Sequence, residues 1–136
     1  MKTINQAISI QLLQQAKEVS VNAYAPYSKF KVGAALITEN GEVFSGCNVE
    51  NASYGLTFCA ERSAIAAMIA NGHKKFEAIA IYAQSATDCY PCGACRQWMY
   101  EFGKEAQVIV EDEDHNPRVI SVQELLPKAF GPENLV

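Results

Sequence analysis

The stretch that decides the fold is CAERSAIAAMIANG, which runs from Cys59 to Gly72. Ala, Ile and Met fill its middle and Asn-Gly is a common helix stop, so we predict a helix over residues 60–70. Residues 32–38 and 43–49 before it are strand-like, and the Asn40-Gly41 turn between them is a strong hairpin signal. The centre of the chain therefore predicts a hairpin, a loop and a helix that begins directly after a cysteine.

A second stretch with the same plan is PCGACRQWMYEFG, from Pro91 to Gly103. It predicts a helix over residues 93–102 that ends at Gly103, again directly after a cysteine. Residues 77–83 precede it and are typical of a buried strand. Because a strand precedes each of the two helices, we expect their N-termini to converge at one edge of a sheet.

The segments outside these stretches extend the alternation of helices and strands. A first helix is predicted by a capping box and by apolar residues at helical spacing; the capping-box pair is Thr3 and Gln6, and the apolar residues are Ile8, Leu12, Ala16, Val19 and Ala23. Residues 107–111 and 118–120 predict two more strands, and a capping box at Ser121 and Glu124 predicts a short last helix. The order αββαβαββα predicts the α/β class: a three-layer α/β/α sandwich around one mixed sheet, as a single domain over residues 1–136.

Composition narrows the partners that we expect. The chain has 49% hydrophobic and 19% charged residues, a net charge of -4 and a pI of about 5.1. Without a stripe of Lys and Arg, we expect no nucleic acid polymer as a partner. Residues 1–6 lack the apolar core of a signal peptide, and no apolar run reaches membrane-spanning length. We therefore expect a cytoplasmic protein that does not bind a membrane.

Cysteine spacing is the strongest functional signal in the chain. Five cysteines at uneven positions in a cytosolic protein are more typical of metal ligands, catalytic groups or core residues than of disulfides. The two-residue gap between Cys92 and Cys95 lets both sulfur atoms bind one metal ion, with Cys59 as the third ligand. Three protein ligands leave one tetrahedral position for water, which is the pattern of catalytic zinc. We therefore predict one Zn²⁺ per subunit, which would lower the pKa of its bound water.

Glu61 is the predicted catalytic residue. A carboxylate is a poor ligand beside thiolates, and this one is better placed to take a proton from the water and return it to the substrate. Residues two apart point in different directions in mid-helix, so the prediction requires Cys59 and Glu61 to share the first turn. Taken alone, Glu61 would be interpreted as a carboxylate at a helix start, where it interacts favourably with the helix dipole. Its position beside Cys59 favours catalysis.

The two motifs, Cys-Ala-Glu-Arg at 59–62 and Pro-Cys-Gly-Ala-Cys-Arg at 91–96, resemble the cytidine deaminase family in its short, three-cysteine form. Segments 26–35, 48–52 and 124–130 also match the pattern of that family, so the resemblance covers nearly the whole chain. It implies a cytidine deaminase-like fold. It also implies a zinc-dependent hydrolase of pyrimidine nucleoside salvage, which converts cytidine and deoxycytidine into uridine and deoxyuridine with release of ammonia.

The resemblance also implies the roles of individual residues. Cys59, Cys92 and Cys95 bind zinc, zinc-bound hydroxide attacks C4 of the pyrimidine, and Glu61 carries protons to N3 and then to ammonia. The residues that it implies in substrate binding are Phe30 beside the base, Asn48 and Glu50 at the ribose hydroxyls, the Ala60 backbone N–H at the pyrimidine O2, and Phe130. The family is homotetrameric, and Phe130 would reach into the site of a neighbouring subunit.

The position of Arg62 suggests a role in balancing the charge of the zinc site, which the two motifs alone do not imply. Three thiolates around one Zn²⁺ leave a net negative charge, to which Glu61 adds. Helix N-termini favour anions, and Arg62 lies on the same helix face as Cys59, three residues away. We predict that Arg62 donates hydrogen bonds to thiolate sulfur and offsets the excess charge. A surface ion pair is an equally good interpretation of Arg62 from the residues alone.

Several alternatives stay open. Cys89, three residues before Cys92, could replace a ligand or complete a closed four-cysteine site, although we predict that Cys89 and Cys47 are simply buried. Arg96 fits a surface ion pair, and Tyr54 fits packing as well as ligand contact. Deamination of a blasticidin-type nucleoside antibiotic and a non-catalytic zinc-stabilised module are the alternative functions. Segments 26–35 and 48–52 favour cytidine over the antibiotic.

Overall fold

The computed structural model describes residues 4–135. Within that range the elements follow the predicted order αββαβαββα, with two 3₁₀ helices added. The helices are α1 (Gln6–Ser20), α2 (Ala60–Ala70), α3 (Gly93–Gly103) and α4 (Val122–Leu125); the strands are β1 (Val32–Thr38), β2 (Val43–Cys47), β3 (Phe76–Ala83), β4 (Gln107–Glu111) and β5 (Pro117–Ser121); the 3₁₀ helices are Tyr54–Leu56 and Pro132–Asn134.

Helix caps account for where α1 and α4 begin. Thr3 of the predicted capping box lies outside the described residues, and α1 is capped instead by Asn5, whose Oδ1 accepts a hydrogen bond from the Ile8 N–H at 2.9 Å. The capping box predicted for α4 is confirmed. The Ser121 hydroxyl accepts from the Glu124 N–H at 3.1 Å, and the Glu124 carboxylate accepts from the Ser121 N–H at 3.4 Å.

The five strands form one mixed sheet in the order β2-β1-β3-β4-β5. Strand β1 is antiparallel to both of its neighbours, β3 is parallel to β4, and β4 is antiparallel to β5. Consequently β2 and β3 run in the same direction, and both end at the same edge of the sheet. The helices α2 and α3 each follow one of these strands, so their N-termini are brought to that edge.

Two layers of helices cover the two faces of the sheet. Alternate residues of β1 show this: Ala35 and Ile37 pack with Leu12 of α1, whereas Ala34 and Leu36 face the core that α2 and α3 share. Every residue of β1 is buried, as expected for a strand covered on both sides. The predicted three-layer sandwich is confirmed. No helix within residues 4–135 has the length and apolar character needed to cross a membrane.

Two glycines let the helices approach the sheet closely. A Cβ on Gly33 of β1 would lie 1.9 Å from the Ala16 carbonyl oxygen of α1, and one on Gly46 of β2 would lie 2.5 Å from the Ala64 nitrogen of α2. Both contacts are to backbone, which cannot swing aside. The close approach at Gly46 seats α2 against β2 and so fixes the start of α2 relative to the sheet edge.

Candidate metal centre and active site

Three cysteines meet where α2 and α3 begin. Cys59 is the N-cap residue of α2, Cys92 is the N-cap residue of α3, and Cys95 lies in the first turn of α3. Their Sγ atoms all lie within 4.8 Å of one another. Among residues 4–135 this is the group of side chains that could hold a metal ion, and Cys89 is not part of it. The four-cysteine alternative is therefore not supported.

The donor set suits zinc. A tetrahedral site with Zn–S bonds of about 2.3 Å separates its sulfur atoms by about 3.8 Å, within the spread of this cluster. Cys59 and Cys92 are N-cap residues with no side-chain cap hydrogen bond. The cluster therefore lies at the unpaired N–H groups and the positive dipole ends of two helices. Thiolate is stabilised there, and three sulfur ligands leave one coordination position to a small molecule.

Contacts within the cluster and with Arg62 already favour a thiolate. Hydrogen bonds, first from Cys95 and then from Arg62, outweigh the opposing effect of burial and lower the pKa of Cys59 to about 5. The pKa of Cys95 is raised, first by that same hydrogen bond to Cys59 and then by burial. The hydrogen bond from Cys95 therefore favours a thiolate at Cys59.

Glu61 lies beside this cluster and is almost completely buried, with 6% of its surface exposed. Cys59 is the N-cap of α2, and Glu61 follows two residues later in the first turn, so the geometric condition set by the sequence is met. Burial is the main cause that raises the pKa of Glu61 to about 7, and the Cys59 charge adds to it. A carboxyl group with this pKa can both accept and donate a proton near neutral pH.

Arg62 also contacts the cluster, through Cys59. Its Nη2 donates to the Sγ of Cys59 and to the Thr57 carbonyl oxygen, both at 3.4 Å. Its guanidinium carbon also lies 4.9 Å from the ring centroid of Phe58. The predicted contact between Arg62 and a thiolate sulfur is thus present in the structure, and within residues 4–135 Arg62 does not form the alternative surface ion pair.

A cavity of about 170 Å³ opens onto the cluster. Its wall combines two cysteines of the cluster, the buried carboxyl group of Glu61 and several apolar side chains. The lining residues are Phe30, Val32, Asn48, Thr57, Cys59, Ala60, Glu61, Cys89 and Cys92. The cavity therefore brings together four predicted substrate or catalytic residues, namely Phe30, Asn48, Ala60 and Glu61. Ala60 is fully buried at the first position of α2, where backbone N–H groups have no partner within the helix.

Asn48 follows β2 and holds the segment before β1. Its Oδ1 accepts from the Val32 N–H at 2.9 Å, and its Nδ2 donates to the Phe30 carbonyl oxygen at 2.8 Å. The side chain is buried and lies in the wall of the cavity. Asn48 therefore fixes the backbone on both sides of Lys31 and, with it, the position of Phe30.

Glu50 lies in an adjacent cavity of about 250 Å³, which it lines together with Tyr27, Ser28, Tyr54 and Thr57. Its Oε1 accepts from the N–H groups of Tyr27 and Ser28 at 3.0 and 3.2 Å, and its Oε2 accepts from the Ser28 hydroxyl. The Ser28 hydroxyl contact is the main cause that lowers the pKa of Glu50, so this side chain is an anion at neutral pH. Thr57 lines both cavities, which are therefore neighbours.

Phe130 is not brought into either cavity. It follows α4, is 61% exposed, and its carbonyl oxygen accepts from Gln97 Nε2 at 2.8 Å. The interaction holds the backbone of this segment against α3 and leaves the aromatic ring on the surface.

The matching family model decides the family. The model for the cytidine and deoxycytidylate deaminase zinc-binding region matches residues 7–111, which include all three clustered cysteines and Glu61. The chain belongs to the cytidine and deoxycytidylate deaminase family. The predicted zinc cofactor is confirmed, since the matched region is a zinc-binding one and the thiol cluster provides a site for the ion.

Individual members of the deaminase family agree over most of the chain. The cytidine deaminase of Sporosarcina psychrophila is 41% identical over 91% of this chain and 92% of its own length. A crystal structure of the cytidine deaminase from Burkholderia pseudomallei is 50% identical and covers 89% of this chain and 98% of its own, with a TM-score of 0.84. The Mycobacterium tuberculosis enzyme is 41% identical and superposes with a TM-score of 0.79 over 90% of this chain and 96% of its own.

Two residues of this deaminase domain have surroundings that the sequence did not predict. Arg96 is not a surface ion pair: its Nε donates to the Pro91 carbonyl oxygen at 2.7 Å and its Nη1 to that of Leu125 at 3.0 Å. It therefore ties the loop before Cys92 to the C-terminal segment. The prediction that Cys47 and Cys89 are buried is wrong: both are only half-buried, and Cys89 lines the cavity at the metal centre. The spacing of Cys89 from Cys92 indicated a possible metal ligand rather than a wall residue, and no spacing marks the two carbonyl acceptors of Arg96.

Proposed function

We propose that this chain is a zinc-dependent cytidine deaminase that hydrolyses cytidine and deoxycytidine to uridine and deoxyuridine, with release of ammonia, in pyrimidine nucleoside salvage. The observation that carries the proposal is the convergence of three thiols beside a buried carboxyl group at the end of a cavity. The relatives at about 40–50% identity, which are named as cytidine deaminases, support the same substrate class.

Cys59, Cys92 and Cys95 hold the zinc ion in this proposal. Bound there, the ion supplies a Lewis acid that lets water act as a nucleophile near neutral pH. The negative charge of the three thiolates would reduce the Lewis acidity of the ion. Arg62 offsets part of that charge through its hydrogen bond to Cys59.

Glu61 moves the protons of the reaction. Net hydrolysis adds one water molecule at C4 of the pyrimidine and expels the exocyclic amino group as ammonia, so N3 and then the amino nitrogen must each gain a proton. A buried carboxyl group with a pKa of about 7 suits this exchange, since its two protonation states are nearly equal in free energy at neutral pH. Its burial also keeps bulk water from competing for the proton.

The two adjacent cavities divide the nucleoside between them. The base occupies the cavity beside Glu61, with Phe30 along its face and the Ala60 N–H directed to the pyrimidine O2. The ribose occupies the Glu50 cavity, where the carboxylate of Glu50 accepts hydrogen bonds from its hydroxyl groups, and the amide of Asn48 donates to them from the wall of the base cavity. A carboxylate retains lone pairs after the contacts with residues 27 and 28, so it can accept from the substrate as well.

The assembly completes the site in this proposal. An exposed Phe130, held against α3 by its backbone, is suited to reach the site of a neighbouring subunit in a homotetramer. The chain acts as one domain over residues 1–136, in the cytoplasm, on nucleosides rather than on a nucleic acid polymer. The net charge of -4 supports the last of these, because it offers no basic surface for a phosphate backbone.

A single preparation tests the function. Ammonia release from cytidine and from deoxycytidine is measured on protein whose zinc content is determined in the same sample. The expected result is turnover with one zinc ion per chain, and loss of turnover with retained zinc in Glu61→Gln. Blasticidin S is the matched comparison substrate. Turnover of the antibiotic without turnover of cytidine would overturn the proposed substrate, and zinc binding without turnover of either would indicate a structural zinc module.

A further inference from the structure

A row of aromatic side chains runs from the residue before the N-cap of α2 to the last turn of α3. The ring of Phe58, just before Cys59, meets the ring of Trp98 edge-on, with centroids 5.8 Å apart and planes at 84°. Trp98 in turn contacts Phe102 one turn further along α3, at 6.3 Å. Edge-to-face contacts of this kind are favourable beyond the area that they bury. Neither Phe58 nor Trp98 belongs to the two motifs that mark the metal centre.

The row ends on the guanidinium group of Arg62. That group lies over the Phe58 ring with its central carbon 4.9 Å from the centroid, within the range of a cation–π interaction. Its two hydrogen bonds are long, at 3.4 Å, and both come from the same nitrogen, Nη2. The Nε of Arg62 is buried and has no hydrogen-bond partner in residues 4–135. Hydrogen bonds through one nitrogen leave the guanidinium plane free to turn, so the ring face supplies the missing restraint.

Both aromatic residues are themselves held in place. The backbone of Phe58 exchanges two hydrogen bonds of 2.9 Å with Val49, in the loop that follows β2. Trp98 lies on α3 three residues after Cys95, so it is one helical turn from a ligand. The aromatic pair therefore joins the two ligand-bearing helix starts without passing through the sulfur atoms.

We propose that Phe58 and Trp98 are positioning residues that hold the Arg62 guanidinium at the Sγ of Cys59 and so slow the release of the metal. Arg62 turned away from Cys59 would leave the thiolate charge unbalanced and its sulfur without this hydrogen bond. The inference rests on the proposed zinc site but concerns residues outside the predicted site. It assigns a function to the bulky Trp98, which otherwise only packs.

The first test measures zinc release from Phe58→Leu and Trp98→Leu, with transfer to a coloured chelator followed over time. Leucine keeps an apolar side chain and removes the ring face, so we expect release about threefold to tenfold faster than in the unmodified protein. The thiolate-to-metal absorption band of the cobalt-substituted protein should shift in both variants. Phe44→Leu is the matched control, because Phe44 makes a ring contact with His73 away from the centre and should leave both readouts unchanged.

A double-mutant cycle separates positioning from packing. If the aromatic pair acts through Arg62, then Phe58→Leu and Trp98→Leu accelerate release far less in an Arg62→Gln background, and Phe58→Tyr and Trp98→Phe restore slow release. Equal acceleration in both backgrounds, or release at the original rate in the single variants, overturns the inference. Two positions are used so that misfolding of one variant leaves the other to decide. Failure of the proposed function is a different outcome, in which the unmodified protein itself binds no zinc.

Discussion

Two neighbouring regions of the molecule are built in different ways. The ligand region, residues 59–62 and 91–96, places its functional side chains at two helix starts within one chain. The proposed nucleoside region, which consists of Phe30, Asn48, Glu50 and Phe130, lies on loops. There, Asn48 and Glu50 already hold the backbone of residues 27–32, while Phe130 is directed outward. Substitutions in the ligand region should therefore change chemistry at constant fold, whereas those in the nucleoside region should change binding and loop structure together.

The largest expected effect is loss of the metal. Cys95→Ala removes the fully buried ligand, and two sulfur atoms hold zinc far less tightly than three. We expect zinc content and deamination to fall to background, as measured by metal analysis and ammonia release on the same sample. Cys47→Ala is the matched control, since Cys47 lies in β2 outside the cluster. Full zinc content in Cys95→Ala would show that the cluster does not hold the ion.

The second effect separates the proton carrier from the ligands. Glu61→Gln keeps the shape of the side chain and removes the carboxyl group that exchanges protons. We therefore expect kcat to fall about 10⁴-fold with zinc retained. Relief of the buried charge should leave the variant at least as stable as the unmodified protein in thermal unfolding. A loss of activity with a parallel loss of zinc would instead make Glu61 a structural residue.

The contrast between the regions also explains what the sequence could predict. The residue bounds predicted for α2 agree with the structure, and the cluster follows from them, because an N-cap cysteine before each helix is a local feature. The contact of Asn48 with the start of β1 could be predicted in part. The hairpin register that pairs Gly33 with Cys47 places Asn48 opposite Val32. The hairpin predicted from the Asn40-Gly41 turn thus brings Asn48 near Val32, but it does not specify the side-chain hydrogen bonds that Asn48 makes there.

Arg96 could not have been predicted in this way. Its two carbonyl acceptors lie five residues before it and twenty-nine residues after it, and only the packing of α4 against α3 brings the second one close. The same holds for the contact between Phe58 and Trp98, which are forty positions apart and meet because β2 and β3 end at one edge. Side chains that join distant segments carry no periodic or spacing signal.

The third effect tests the double role of Glu50. Glu50→Ala removes both the proposed ribose contact and the acceptor for residues 27 and 28, so we expect KM for cytidine to rise about 100-fold with a smaller change in kcat. Ser28→Ala is the control, because it removes the hydroxyl contact and keeps the carboxylate. An equal rise of KM in Ser28→Ala would mean that Glu50 acts only by shaping the loop.

The fourth effect returns to the ligand region with a residue that touches no substrate. Arg62→Gln removes the positive charge at Cys59, and we expect kcat and zinc retention both to fall, by about tenfold. Acid should release zinc from this variant at higher pH than from the unmodified protein, because the Cys59 pKa is lowered partly by Arg62 and should rise without it. Zinc release followed against pH measures the difference. Coincident release curves would contradict the charge-balancing role.

The smallest effect decides whether the nucleoside region extends across subunits. Phe130→Ala removes the aromatic ring that we propose reaches the site of a neighbouring subunit, so we expect kcat/KM to fall about fivefold to tenfold. The cause is tested by mixing this chain with Glu61→Gln chains in reassembled oligomers. A subunit with Glu61 intact can then receive Phe130 from its inactive neighbour, and activity per intact Glu61 should rise toward that of the unmodified protein. If mixing leaves that activity unchanged, the ring acts within its own chain, and the site needs no neighbour to be complete.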